Sequence, residues 1–203
     1  MGSNMPKILI ATGNKGKLLE IQALLSDPGL TLLLPADLGL YLNVEESGST
    51  YETNAAIKAM AFACASGLLT LADDSGLEVD ALGGLPGVRS ARFSPLPHAS
   101  DADRRRYLLE RLGGLPRPWA AHFHCTVALA RPDGRLRFAT GECHGEIIPE
   151  ERGQNGFGYD PIFFFPELER TMAELNMDEK NQISHRARAV KAARPILHEL
   201  LDG

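Results

Sequence analysis

The chain reads as an α/β protein built on a mixed sheet, and three observations lead there. Short apolar runs alternate with stretches of helical periodicity over residues 7–72; a long hairpin pattern with an Asp133-Gly134 turn follows; and composition is ordinary for a globular protein, with 44% hydrophobic and 23% charged residues over 203 positions. Alternation predicts parallel neighbours early in the sheet, while a hairpin demands antiparallel ones later. The fold is therefore not purely doubly wound.

Each element has its own signal. Ile8, Leu9, Ile10 and Ala11 form an apolar run that predicts a strand, and Leu18, Ile21, Leu24 and Leu25 recur at helical spacing. A second strand is predicted over 30–35. Residues 50–66 predict an alanine-rich helix with Thr50 as its cap. Residues 67–72 predict a buried strand running into Asp73-Asp74. Residues 100–112 predict a helix opened by a Ser100–Asp103 capping box. "AHFHCTVALARPDGRLRFATGECHGEI" predicts the hairpin, and "PIFFFP" a short buried strand. A last helix is expected from about residue 184 to 201, kinked or interrupted at Pro195.

Several function classes fall away. Net charge is -5, which gives no nucleic-acid-coating surface, and Arg104-Arg105-Arg106 reads as the solvated face of a helix. No run approaches the length of a membrane span and no charged-then-apolar signal opens the chain, so neither nucleic acid nor membrane is an expected partner. Residues 1–4 read as a cloning scar ahead of a domain spanning 5–203. Cys64, Cys125 and Cys143 are widely spaced, which fits a reducing, cytoplasmic compartment; the apolar settings of Cys64 and Cys125 predict buried small hydrophobes. His122 and His124, two apart on a strand, predict a structural pair rather than a metal site.

Four segments carry candidate chemistry. The turn Thr12, Gly13, Asn14, Lys15, Gly16, Lys17 lies between a strand and a helix, where unpaired backbone N–H groups and the helix dipole favour an anion. Its spacing is not that of a Walker A loop, and an ordinary turn with solvated lysines stays open. Asp73, Asp74 and Ser75 stand at the expected carboxyl end of a strand, with side chains alternating between faces, so the two carboxylates should do different work. With Glu45 or Glu46 opposite, such oxygens suit Mg²⁺ alongside phosphates; a solvated surface turn is the plainer alternative. "GQNGFGYDPIFF" sets Phe157 and Tyr159 in a glycine-rich loop, either to stack on a flat ring or to plug the neighbouring sheet. Lys180, His185 and Arg186 gather near the start of the last helix, suiting an anion or a carbonyl-bearing ring, or simply solvent.

Taken together, "ATGNKGK", "TNAAIKA", "ADDSGLEVDALGGLPGVRSARFS", "FHCTVAL", "GFGYDPIF" and "EKNQISHRARA" closely resemble the inosine/xanthosine triphosphate pyrophosphatases, house-cleaning nucleotide hydrolases. The resemblance spans nearly all of residues 7–200. It implies an elongated mixed β-sheet with flanking helices, two lobes around a central cleft, Mg²⁺ dependence and a homodimer. It implies hydrolysis of deaminated purine nucleoside triphosphates to monophosphate and pyrophosphate. Residues 12–17 would cradle the triphosphate, with Lys17 and Lys58 on the phosphates. Glu46 and Asp74 would hold the metal, and Asp74 would activate water with Asp73 and Ser75 completing its loop. Phe157, Gly158, Tyr159, Asp160, Lys180, His185 and Arg186 would form the base pocket, where Arg186 or His185 donates to a 6-oxo group. The family often reads Glu-Asn-Ala before the helix lysine; here Thr53 precedes Asn54 and the glutamate is Glu52. Other modified nucleotides as substrates, or nucleotide sensing without turnover, are the rival readings.

Overall fold

The structure, a computed structural model, describes residues 5–202; residues 1–4, for which a cloning scar is the expectation, and Gly203 lie outside the described residues. Seven strands form one sheet in the order β2-β1-β3-β4-β5-β6-β7. In chain order the elements are β1 (Lys7–Ile10), α1 (Lys15–Leu24), β2 (Thr31–Leu33), α2 (Tyr51–Ser66), β3 (Leu69–Val79), α3 (Asp101–Leu112), β4 (Trp119–Ala130), β5 (Leu136–Ile147), β6 (Phe163–Phe165), β7 (Arg170–Thr171), α4 (Met177–Ile183) and α5 (His185–Asp202). β1 pairs parallel with both β2 and β3, while β5/β6 and β6/β7 are antiparallel, so the sheet is mixed. The β4–β5 hairpin closes with Arg131 N–H on Arg135 C=O at 2.8 Å and Gly134 in the left-handed region.

The chain divides into two compact units. The first holds the described residues up to Asp74, Cys125–Gly141 and those from Arg186 onward. Strand alternation organises it. Ile8, Ile10 and Leu71 pack with Val127, Leu129, Ile21 and Leu25, and with Ala189, Val190, Ala193 and Leu197 of α5. Leu9, Ala11, Ala72, Ala128 and Ala130 belong to a separate cluster with Ala55, Ala59, Phe62 and Ala63 of α2. Successive strand side chains thus feed two layers of helix. The alanine stripe of α2 leaves Cys64 on the helix's outer side, so this thiol is exposed, unlike the buried Cys125 and Cys143. α5 continues through Pro195 without a break. Buried side chains before and after the proline, Val190 and Ala193 on one side, Leu197 and Leu200 on the other, hold both halves against the same core.

The second unit comprises Ser75–His124 and Glu142–His185. Its core joins Leu77 and Val79 to Leu108 and Leu112 of α3, Trp119, Phe123, Ile147, Phe163 and Phe165. Ser100 caps α3 as expected, its hydroxyl accepting from Asp103 N–H while Asp103 accepts from Ser100 N–H. His122 and His124 pair with Glu78 and Glu142 at 3.4 and 3.0 Å. Three expectations shift. β3 does not stop at Ala72 but runs through Asp73, Asp74 and Ser75 to Val79. Residues 177–183 form a separate helix, α4, capped by Asn176. Arg105 is not a solvated side chain: only 11% of it is exposed.

Leu112, fully buried on α3, gives a direct check on the second core. Leu112→Ala should lower unfolding free energy by about 2–5 kcal/mol, read from the urea midpoint with the slope unchanged.

Candidate active site

The chemistry-bearing side chains of the first unit converge on Asp73 and Asp74. α1 begins at Lys15, so the phosphate-type turn is shorter than the sequence suggests, with Gly16 and Lys17 already in the first helical turn. Asn14 caps it by accepting from Lys17 N–H at 3.1 Å, and Thr12 Oγ1 accepts from Asn14 N–H at 3.2 Å. No acidic residue occupies that first turn. A Cβ added to Gly13 would meet nothing within 4 Å, so there is room at that position. A helix start of this kind suits an anion.

From that turn Lys17 reaches Asp73, Nζ to Oδ2 at 3.0 Å. The same Oδ2 receives Arg186 Nε at 3.3 Å, and Arg186 Nη1 bonds Glu20. Arg186 is 1% exposed and Glu20 2%, so the guanidinium is held by two buried carboxylates. Cys125 Sγ lies 3.9 Å from Asp73 Oδ2. Burial drives its thiol pKa up, with Asp73 adding to that, so the thiol stays protonated at neutral pH. Asp73 Oδ1 is buried without a hydrogen-bond partner. Burial alone would raise the Asp73 pKa, but Lys17, Arg186 and Lys58 hold it well below the carboxylate range.

Asp74, the next residue on β3, has a different setting. Its Oδ2 accepts from Asn54 Nδ2 at 3.0 Å, and Asn54 in turn accepts from Gly48 N–H at 2.8 Å. Burial raises the Asp74 pKa, and Glu46 pushes in the same direction against Lys17, Lys58 and the Asn54 bond. Lys58, one turn beyond Asn54 on α2, pairs with Glu46 at 2.5 Å and donates to Asp73 C=O at 3.1 Å. Burial works against its charge, yet Asp73, Glu46 and Asp74 together raise its pKa. Adjacent carboxylates are thus driven apart, one firmly ionised and the other more basic.

Glu46 and Asp74 fit the oxygen chemistry of Mg²⁺. They are hard donors close enough to repel each other, a repulsion that a divalent cation would relieve. Among the described residues no group of three or more His, Cys, Asp or Glu side chains is arranged to hold a metal by itself. A cation there would need phosphate oxygens to complete its shell, as Mg²⁺ commonly does.

In the second unit, Lys180 and Asp160 form a buried pair at 2.6 Å. Asp160 Oδ2 also accepts from Phe157 N–H at 2.9 Å, and Lys180 Nζ lies 5.1 Å from the Phe157 ring centre. His185 stacks on Phe123 at 4.7 Å, with Nδ1 3.8 Å from Cys143 Sγ. Tyr159 takes the plugging role: it is 4% exposed and its hydroxyl donates to Ser90 C=O at 2.9 Å. Phe157 is only half-buried. The sequence-predicted residues therefore fall into two groups. Lys17, Glu46, Lys58, Asp73, Asp74 and Arg186 interact within the first unit, and Phe157, Asp160 and Lys180 within the second, with His185 held separately on Phe123.

Glu20 and Asn54 escaped sequence reasoning. Glu20 left a trace, since it sits one turn past Lys17 on the face of Ile21 and Leu24, where a charge needs a partner. Asn54 stands inside the "TNAAIKA" run, which gave it no role of its own. Glu52 is exposed, and Thr53 serves the cap, its N–H on Thr50 Oγ1 at 3.1 Å.

The family model described as the Ham1 family matches residues 8–196. A relative from Desulforamulus reducens named dITP/XTP pyrophosphatase is 47% identical over 96% of this chain and 96% of its own. One of the same name from Geobacter sulfurreducens is 49% identical over 92% and 94%. Similar solved structures include a HAM1 protein from Coxiella burnetii, with TM-score 0.87 and 42% identity over 96% of this chain and 100% of that one. Another is a nucleoside-triphosphatase, or dITP/XTP pyrophosphatase, from Mycobacterium abscessus, with TM-score 0.74 and 43% identity over 93% and 99%.

The opposite shifts of the two aspartates make opposite predictions for the free protein. Asp73 has its folded pKa below the unfolded value of 3.8, so its stabilisation is complete above that value and is lost as pH falls through the folded one. Asp73→Asn should destabilise by about 3–5 kcal/mol at pH 7, because buried Arg186 loses a counter-charge, and should flatten the acid limb of the stability profile. Asp74 has a raised folded pKa, so it costs stability once pH climbs past that value. Asp74→Asn should raise the thermal midpoint at pH 7. Thermal melts from pH 2 to 8 check both signs.

Proposed function

The chain belongs to the Ham1 family, and on that premise we propose that it hydrolyses deaminated purine nucleoside triphosphates, those of inosine, deoxyinosine and xanthosine, to the monophosphate and pyrophosphate. One observation carries the reading: two lysines and two carboxylates of split basicity meet beside a helix start whose first turn holds no acidic residue.

The triphosphate is assigned to the turn at 12–14, the first N–H groups of α1, Lys15, Lys17 and Lys58. Lys17 and Lys58 are held on Asp73 and Glu46, so their positions are set before substrate arrives. Glu46 and Asp74 would hold Mg²⁺, which when bound supplies neutralisation of phosphate charge and acidification of a water. Asp74 orients the attacking water through one oxygen and takes its proton, a task its raised basicity suits. The water oxygen bonds to the α-phosphorus, and the bond from that phosphorus to the α–β bridging oxygen breaks. Lys17 and Lys58 stabilise the charge that leaves with pyrophosphate. Asp73 takes no proton; it stays ionised and keeps Lys17 in place.

The base is assigned to Phe157, Gly158, Lys180 and His185, with Tyr159 and Asp160 holding the loop beneath them. A 6-oxo group accepts a hydrogen bond where adenine's amino group would leave the donor unpaired, which is the physical basis for rejecting adenine. Arg186, fixed between Glu20 and Asp73, acts through Asp73 and follows His185 directly in the chain. Cytoplasmic residence and assembly as a homodimer are proposed on the resemblance alone; among the described residues no helix is long and apolar enough to cross a membrane.

Pyrophosphate release measured across inosine, xanthosine, guanosine and adenosine triphosphates, with Mg²⁺ and with chelator, tests the reading. Turnover of the first two should exceed that of adenosine triphosphate by at least about 100-fold and should vanish with chelator. Asp74→Asn should lower kcat by about 100-fold or more while the protein stays folded. Comparable turnover of all four nucleotides, or an Asp74→Asn enzyme of near-normal rate, would overturn it.

A further inference from the structure

The first turns of α3 belong to none of the chemistry above, yet they grip the loop assigned to the base. Asp101 and Arg105 are four residues apart on α3 and share a face. Asp101 Oδ2 accepts from Gly158 N–H at 2.8 Å, and Arg105 Nη1 donates to Gly158 C=O at 2.8 Å. Both polar groups of one peptide residue are therefore taken by one helix face, through charge-assisted bonds. Each gripping side chain is itself braced. Arg104 bonds Asp101, while Glu151 takes Arg105 Nε and Nη2 at 2.8 Å each.

The loop needs such a hold. Gly156 and Gly158 have φ of +74° and +63°, in the left-handed region where glycine loses the most freedom on ordering. A Cβ at Gly156 would collide with the Asp160 carboxylate, so the chain passes tightly there. On its other side the Phe157 N–H bonds Asp160 and Lys180 crosses the Phe157 ring, while Asn155 and the Tyr159 hydroxyl tie the flanks of the loop to Ala173, Leu175 and Ser90.

We propose that Asp101 and Arg105 are positioning residues for base recognition: by clamping the Gly158 peptide they fix the Phe157 ring and its Lys180 partner in the arrangement that receives a purine. This rests on assigning the base to residues 157–160 and Lys180, as above. The clamp touches neither phosphate nor base, so its loss should weaken ligands that carry a base and spare those that do not.

Arg105→Ala, Asp101→Ala and Asp101→Asn are compared with Arg106→Ala, an outward-facing neighbour 63% exposed. Two readouts are used. Amide hydrogen exchange at Phe157 and Gly158 in the ligand-free chain reports the clamp itself. Competitive inhibition by inosine monophosphate and by inorganic tripolyphosphate separates base from phosphate. The alanine variants should exchange faster at Gly158 and bind inosine monophosphate about tenfold more weakly, with tripolyphosphate changed less than about twofold. Asp101→Asn, which keeps an acceptor, should recover part of the loss, and Arg106→Ala should match wild type. Unchanged Gly158 exchange, or equal weakening of both inhibitors, overturns the proposal. Should Arg105→Ala fail to fold, Arg105→Lys, which keeps the charge without the fork, carries the same test. A wild-type chain with a protected Gly158 but no turnover of inosine triphosphate would sink the functional reading and not the clamp.

Discussion

Asp73 is the constraint on which the first unit's chemistry depends. Its carboxylate is completely buried and would be intolerable there alone. Lys17 and Arg186 make it tolerable, and in doing so each is fixed. The benefit runs both ways. Asp73 fixes the Lys17 ammonium at 3.0 Å, and an arginine as buried as Arg186 is tolerated because Glu20 and Asp73 flank it. Three segments remote in sequence, the start of α1, the middle of β3 and the start of α5, are thereby locked together by charge.

The one-residue step from Asp73 to Asp74 changes the electrostatic setting of the carboxylate. In an extended strand the two side chains leave on opposite sides. Three cations outweigh burial at Asp73; at Asp74 burial and the like charge of Glu46 outweigh Lys17, Lys58 and the Asn54 amide. Nothing intrinsic to the residue type separates them. The different pKa directions come from which helix each side chain encounters, and α2 supplies both Asn54 for Asp74 and Lys58 for the Asp73 peptide oxygen.

In the second unit the same logic works through backbone rather than side chain. A loop with three left-handed glycines, at 153, 156 and 158, is held by charged groups from α3, Asp160 and Lys180 as well as by Asn155. Tyr159 and Asp160 point into this support, leaving Phe157 half-buried at the surface.

Local order was legible in the amino-acid sequence because it is set by neighbours. The apolar run at 8–11, the Thr50 and Ser100 caps, the Asp133-Gly134 hairpin and the mixed sheet all follow from patterns a few residues wide. So does the expectation that Asp73 and Asp74 meet different surroundings, because successive strand side chains leave on opposite faces. Tertiary structure alone decided that Arg186 bonds a Glu20 166 residues away and that Arg105 grips a glycine 53 residues away. It also carried β3 past the aspartates and α5 through a proline, where packing outweighed local propensity. The physical reason is common to all of these: a buried charge takes its partner from whatever the fold brings near, and no local pattern in the chain records that choice.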